Sequence, residues 1–306
     1  MSNQITIVIP AYNRAHTLPR TLLSVEKQTV APARVVLVDN ASTDGTFSLM
    51  SDWASRQTGF EVLLLREEKA GACAARNCGL REVETEFVMF FDSDDEMLPS
   101  HVEDFSKAIA RNPGADIFGR SIITEDIAGH RRKLYFTHHD PMFNHLFRGC
   151  LSTQRIVART ALVRRVGGWN EDLPAWNDFE LGVRLLLASD RIVSLPGDPS
   201  VITYQLAESI TGTSFSAKAG QWEKALDCIE KLLSSAGRTD LLKWIDCRRM
   251  ILAAHYAQEG SADLAAALRG RTAVNGRGRR RLSLIYSYQL SFRRLAWCVA
   301  RLIFIF

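Results

Sequence analysis

At 306 residues, with 46% hydrophobic and 24% charged residues, the chain has the make-up of an ordinary globular protein, with room for one substantial core and a smaller appendage. It carries no low-complexity tract and no fixed-period repeat, which excludes a solenoid or a disordered array. The net charge of +4 hides an asymmetry: nine arginines and no acidic residue follow Asp263, so the rest of the chain stands at −5.

Six cysteines, at 73, 78, 150, 228, 247 and 298, form no C-x-x-C pair, and MSNQITIVIP lacks the basic region and cleavage site of a signal peptide. The expectation is a cytoplasmic protein with reduced thiols.

In chain order, Ile5 to Ile9 is an apolar β-branched run stopped by Pro10, and Arg34 to Val38 is another, stopped by a polar cluster from Asp39 to Gly45. Both read as buried parallel strands. Between them, Thr17 to Gln28 reads as a helix with Thr17 as a plausible cap. The alternation continues through a helix at Thr46 to Arg56, a strand at Glu61 to Leu65, a helix at Ala72 to Glu82 and a strand at Phe87 to Phe91. This predicts a doubly wound α/β sheet, in which ligands bind beyond the carboxyl ends of the strands. The residues to read closely are therefore Pro10 to Arg14, Asp39 to Asp44, and Asp92 to Glu96.

From Asp116 to Tyr204 the pattern is mixed, with a helix at Asp178 to Ala188 and a strand near Arg191 to Leu195. Trp222 to Gly270 is helical in composition, and Ala253 to Leu268 reads as a helical hairpin turning at Gly260. The expected organisation is residues 1–216 as one α/β domain, 217–270 as a helical appendage and 271–306 as a basic tail. In that tail Arg280, Ser287, Arg294 and Arg301 form one polar stripe opposite a broad apolar face, which suits a helix lying in a membrane interface better than one spanning it.

The strongest chemical signal is Asp92-Ser93-Asp94-Asp95 at the end of a hydrophobic strand. Carboxylates this close repel, and a hard divalent ion bridging them to a diphosphate removes the repulsion. The plainer alternative is an acidic loop capping the next helix. A second signal pairs Tyr12, in Pro10-Ala11-Tyr12-Asn13-Arg14, with Asp39. One offers an aromatic face and the other an acceptor for a base N–H, an arrangement suited to pyrimidine diphosphates; turn residues plus a cap would look the same.

The runs IVIPAYNR, VVLVDNASTDGT, GACAARNCGL and FVMFFDSDDEMLP, in this order and spacing, resemble family 2 inverting glycosyltransferases of the GT-A fold, bacterial surface-glycan type. The similarity covers about residues 3 to 215. It implies a GT-A doubly wound, mostly parallel sheet, a nucleotide-sugar donor, usually UDP-linked, and a Mg2+ or Mn2+ cofactor. Carried across, Pro10, Tyr12, Arg14, Asp39, Arg76, Asp92 and Ser93 would bind the donor, and Asp92, Asp94 and Asp95 would hold the metal diphosphate. The family's E-D-x-E-L pattern is matched by Asn177-Asp178-Phe179-Glu180-Leu181, making Asp178 the candidate base for a single inverting displacement. A helix cap is the alternative for Asp178.

Asn40 and Asn177 stand where the family often has acids, and Ala207 stands near a frequent histidine, leaving Ser209 or Thr211 as substitutes. Trp169, Trp176 and Glu180 are candidates for the acceptor side; buried tryptophans are the alternative. His138 and His139 read as surface residues.

Other readings weigh less. A dinucleotide-binding oxidoreductase would need G-x-G-x-x-G after Ile9, which is absent. An aspartate-dependent phosphotransferase also places D-x-D after a strand, but would follow it with Thr or Val. A non-catalytic scaffold is opposed by Asp92, Asp94 and Asp178 being in place. For the tail, Leu-Ile-Phe-Ile-Phe beside arginine favours anionic lipid headgroups over nucleic acid, with a core or oligomer helix as the other option. Together these imply a peripheral enzyme on the cytoplasmic face of the membrane, with a saccharide or lipid-linked saccharide acceptor, as in capsule or O-antigen assembly.

Overall fold

The computed structural model describes residues 4–205, 214–272, 276–292 and 296–305. The chain divides into two compact units, Met1–Pro141 with Cys150–Leu206, and Met142–Gly149 with Ala207–Phe306.

The first unit runs β1 (Ile5–Ala11), α1 (Leu18–Glu26), β2 (Arg34–Asp39), α2 (Thr46–Ser55), β3 (Glu61–Arg66), α3 (Ala72–Arg81), β4 (Phe87–Phe90), β5 (Glu96–Met97), α4 (His101–Arg111), β6 (Ile117–Gly119), β7 (Ile122–Glu125) and β8 (Arg131–Leu134). After α5 (Pro141–Arg148), which falls almost wholly in the second unit, follow β9 (Ile156–Arg159), α6 (Thr160–Arg165), α7 (Asn177–Ala188), β10 (Ile192–Ser194) and β11 (Val201–Tyr204).

A seven-stranded sheet has the order β10-β6-β9-β4-β1-β2-β3, with β9 antiparallel to both of its neighbours and the other pairs parallel. Side chains alternate across its two faces, as a two-residue period demands. Ile5, Ile7 and Ile9 join Val35, Leu37, Phe87 and Met89 on one face, under Leu22 of α1, Met50 of α2 and Phe105 of α4. Val8, Val36, Val38, Val88 and Phe90 point the other way, against Ala75 of α3, Leu162 of α6 and Leu181 of α7. Both faces are therefore covered, which is why the strands read as unbroken apolar runs. A four-stranded sheet, β5-β11-β7-β8, completes the unit.

Thr17 stands at the N-cap of α1 as expected, but its hydroxyl makes no capping bond; Thr17 and Leu18 N–H donate to the carbonyl of Arg14 instead.

In the second unit α8 (Ala219–Ser235), α9 (Leu242–Gln258), α10 (Ala262–Gly270), α11 (Arg277–Phe292) and α12 (Ala296–Ile305) surround buried Trp222, Ile229, Ile245 and Tyr256. The α9–α10 hairpin turns at Gly260, whose φ of 86° is the left-handed conformation glycine tolerates. Residues 142–149, expected in the first domain, join this unit because Phe143 and Phe147 pack edge-on against Trp244, with ring centroids 5.1 and 5.3 Å away. The buried Arg249 guanidinium bonds Asp246 and Asp227 at 3.1 Å and also Glu230, so its charge is compensated.

The tail forms two helices rather than one. Arg280, Ser287 and Arg301 are exposed, while Leu282, Ile285 and Gln289 of α11 are buried in the unit; the fourth residue of the expected stripe, at position 294, lies outside the described residues. The expected broad apolar face opposite the stripe is thus partly spent on packing.

Gly79 fixes how closely α3 approaches the sheet. A Cβ there would sit 2.4 Å from Val8 Cγ1 and 3.2 Å from Val38 Cγ2, both on buried, rotamerically stiff side chains. Gly79→Ala should destabilise the protein by about 1–3 kcal/mol despite alanine's better helix propensity, read by urea denaturation. Gly114→Ala, which meets nothing within 4 Å, should be close to neutral.

Candidate functional site

The three loops singled out in the sequence follow β1, β2 and β4, which lie side by side and parallel, so they emerge at one edge of the sheet. The connections from β1 run to β2 and β3 on one side, while β4 lies on the other, which makes the β1–β4 boundary the switch point where α/β sheets hold ligands.

The loops after β1 and β2 are hydrogen-bonded into one wall. Asn13, with φ 52°, donates its N–H to Ser42 Oγ at 3.0 Å and accepts from Thr43 N–H at 2.8 Å; Arg14 N–H donates to Thr46 Oγ1 at 2.8 Å. Pro10 is buried inside β1, whereas the Tyr12 side chain stands 57% exposed. Asp39 is fully buried. Its Oδ2 accepts Ser42 N–H at 3.3 Å and faces Arg66 Nε at 3.5 Å, while Oδ1 has no hydrogen-bond partner. A buried carboxylate oxygen without a donor costs free energy unless a ligand supplies one.

Asn40 is an amide for a visible reason. Its Nδ2 donates to the carbonyls of Glu67 and Lys69, each at 2.8 Å, and its Oδ1 accepts Gly71 N–H at 2.8 Å. An aspartate there could not donate to either carbonyl. Asn177 likewise donates to Leu173 O and accepts from Arg76 Nη1, both at 3.4 Å.

Arg76 on α3 is the hub. Its Nη2 donates to Asp92 Oδ1 at 2.6 Å, its guanidinium lies 4.4 Å from the centroid of the Trp169 ring, and its Nε is buried without a partner. Burial works against its charge, but Asp92 outweighs it and holds the group above its usual range. Asp92 Oδ2 and Asp95 Oδ2 both accept from Gln154 Nε2, at 2.5 Å each, and Asp95 Oδ1 accepts Tyr204 N–H at 3.0 Å. Asp94 is held more loosely, with Arg14 Nε 3.8 Å away. Its backbone carbonyl accepts from Arg20 at 2.5 Å, and Arg20 stacks 3.6 Å from the centroid of Tyr204. Burial, reinforced by the neighbouring aspartates, pushes Asp94 up to about 6 and Asp95 well above the carboxylate range. Ser93 is buried within the same turn.

The acids expected to share a metal are thus differently placed. Asp92 and Asp95 are engaged by Arg76, Gln154 and Tyr204, and among the described residues no three His, Cys, Asp or Glu side chains form a metal-binding group. Asp94 has only the distant Arg14 beside its carboxylate, and its pKa is raised first by burial and then by the neighbouring Asp92 charge, which a cation would offset.

Asp178 sits in the first turn of α7 and bonds Phe179 N–H at 2.8 Å, while Trp176, not Asp178, is the N-cap, at φ 52°. Burial raises the Asp178 pKa and the Arg76 charge opposes that rise, so Asp178 and Asp92 feel the same guanidinium. Two acceptor-side candidates are buried. Trp169 is buried edge-on against Phe90 at 5.1 Å and supports Arg76, so it offers no open face. Glu180 is buried in a bidentate pair with Arg184, at 2.9 and 2.7 Å, and Arg184 also holds the carbonyls of Val166 and Gly168. Trp176 is half-buried, edge-on to Phe179 at 5.8 Å. His138 and His139 are exposed, and residues 207, 209 and 211 lie outside the described set.

Sequence reasoning missed Gln154, Arg20, Tyr204 and Arg184. None lies in a recognisable motif; the aromatic beside the 205–211 run was the nearest signal.

Gln154→Leu should remove the amide that separates two carboxylates and destabilise the protein by about 2 kcal/mol. An acid whose pKa is raised on folding favours the fold when protonated, and that contribution is lost as pH rises through the folded pKa. Burial raises Asp95 and the Gln154 amide opposes the rise, so without the amide the rise is larger and the deficit of the variant should grow as pH increases above 3.8, read by thermal unfolding.

The family model described as Glycosyl transferase family 2 matches residues 6–167, more than half of the chain. An uncharacterized glycosyltransferase of Haemophilus influenzae is 25% identical over 242 residues, covering 74% of this chain and 76% of that protein. The Escherichia coli UDP-Glc:alpha-D-GlcNAc-diphosphoundecaprenol beta-1,3-glucosyltransferase WfgD is 32% identical over 99 residues, 32% of this chain and 38% of its own length. Glycosyltransferase GlyA of Streptococcus pneumoniae is 32% identical over 109 residues, 36% of this chain, and the match spans only 15% of GlyA. Among solved structures, S. aureus TarS 1-349 in complex with UDP-GlcNAc superposes with a TM-score of 0.67 at 18% identity, over 98% of this chain and 90% of that one. The Pyrobaculum calidifontis mannosyltransferase PcManGT, in complex with GDP-Man and Mn2+, gives 0.56 at 18% identity, over 99% and 87%. The fold is the GT-A type expected from the motifs, and the chain belongs to glycosyl transferase family 2.

Proposed function

We propose that this chain transfers a sugar from a UDP-sugar to a hydroxyl of a saccharide, lipid-linked in its natural acceptor, with inversion at the anomeric carbon. The observation that carries the reading is the double reach of Arg76, which bonds Asp92 of the acidic loop and Asn177 beside Asp178, residues supplied by distant parts of the chain. The similarity to WfgD and to the TarS complex supports a UDP-linked donor, and WfgD supports a diphosphoundecaprenol-linked acceptor.

In this reading the partnerless Asp39 Oδ1 accepts a base N–H, and the exposed Tyr12 ring lies against the base. Arg14 and Arg76 bring positive charge to the diphosphate side. The acceptor oxygen attacks the anomeric carbon from the face opposite the leaving group, and its proton passes to Asp178. The anomeric C–O bond breaks with its electron pair leaving on the nucleoside diphosphate, so one displacement inverts the centre. Mg2+ or Mn2+, when bound, would supply positive charge to the departing diphosphate and Asp94 would hold it, a role supported by the Mn2+ that accompanies GDP-Man in the PcManGT complex.

Asp178→Asn should lower kcat by about 100- to 10,000-fold with little change in donor affinity, measured by release of nucleoside diphosphate in the presence of acceptor. Only ionised Asp178 can accept the proton, so activity falls as pH drops through its pKa. Because burial raises that pKa, the acid limb of kcat/KM should lie above 3.8 and vanish in Asp178→Asn. Unchanged turnover in this variant would remove Asp178 from the role.

A further inference from the structure

The outer face of α11 is both basic and apolar. At 3.6 residues per turn, Arg277, Arg280, Arg281, Leu284, Tyr288 and Phe292 fall within about a third of the helix circumference. The adjoining side carries the buried Leu282, Ile285 and Gln289, and Gln258 of α9 donates to the carbonyls of Gln289 and Leu290, so the orientation of α11 within its unit is fixed. Leu284 is 59% and Phe292 64% exposed, and the Tyr288 ring lies 4.8 Å from that of Phe292. In α12, Leu302 is 64% exposed next to the exposed Arg301.

We propose that this face docks on an anionic phospholipid bilayer, with α11 lying in the plane of the interface. Arg277, Arg280 and Arg281 would meet headgroup phosphates while Leu284, Tyr288 and Phe292 enter the acyl boundary. No acidic residue follows Asp263, so the tail supplies no side-chain carboxylate to its own arginines. A purely polyanionic partner would match the arginines and leave Leu284 and Phe292 in water; a bilayer surface satisfies both. Among the described residues no helix is long and apolar enough to cross a membrane, which leaves lying on the surface as the mode for α11. Docking is independent of the transfer chemistry, because it needs neither donor nor acceptor.

The test is sedimentation of the full chain with vesicles of phosphatidylcholine alone and of equal parts phosphatidylcholine and phosphatidylglycerol, without nucleotide. Binding should require phosphatidylglycerol and weaken as salt is raised. Arg277→Glu combined with Arg280→Glu and Arg281→Glu should weaken it by roughly 100-fold or more. Leu284→Ser with Phe292→Ser should weaken it by roughly 10-fold while keeping the salt dependence. All five positions are exposed, and far-UV circular dichroism checks that the helices persist. Failure to sediment with the anionic vesicles, equal binding by the arginine variant, or tighter binding to a single-stranded RNA oligonucleotide would each overturn the proposal. None of these outcomes touches the assignment of Asp178.

Discussion

The ion pair between Arg76 and Asp92 is the contact on which the rest of the site depends. Three carboxylates delivered by one strand end repel one another, and leaving them uncompensated in a half-buried loop would cost several kcal/mol. Arg76 meets this from the far side of the sheet. Its helix, α3, lies close enough only because Gly79 lets it settle on Val8 and Val38. Gln154 adds an amide between Asp92 and Asp95, and Tyr204 adds a backbone N–H. The loop is thereby held in one shape before any substrate arrives, while the Asp94 carboxylate has only Arg14, 3.8 Å away, beside it. Preorganised charge of this kind is what a transfer reaction needs at its leaving group.

The same guanidinium ties the two ends of the proposed reaction together. Asp178 owes its raised pKa to burial and is restrained from rising further by Arg76, so leaving-group side and base side share one electrostatic centre. The Trp169 ring contributes a flat support for the guanidinium. Arg184, by binding Glu180 and the carbonyls of Val166 and Gly168, fixes the approach of α7 to the preceding loop and so places Asp178.

Much of the first unit was legible because its strands are buried on both faces and its loops follow them at regular intervals; β1 to β4 and α1 to α3 fall within a residue or two of their expected bounds. The acidic loop and Asp178 were legible through motifs. What stayed hidden has a common physical cause. Gln154, Arg20 and Tyr204 act on the loop through partners 59 to 109 residues away, and no local period records such a pairing. The tryptophan at 169 could be recognised but not its orientation, which is set by Phe90 across the core. In the tail, periodicity says which residues share a face, but only tertiary packing decides which face is spent. Leu282 and Ile285 went inward and left Leu284 and Phe292 outside beside the arginines.

The central claim is that this loop is a divalent-ion and nucleotide-sugar site. Calorimetric titration of the chain with UDP-GlcNAc and other UDP- and GDP-sugars, with and without Mn2+, tests it most directly when repeated on Asp94→Ala. The account predicts saturable binding of a UDP-sugar that requires the metal and is lost in the variant. Binding that ignores both the metal and Asp94, or no binding of any nucleotide sugar, would contradict it.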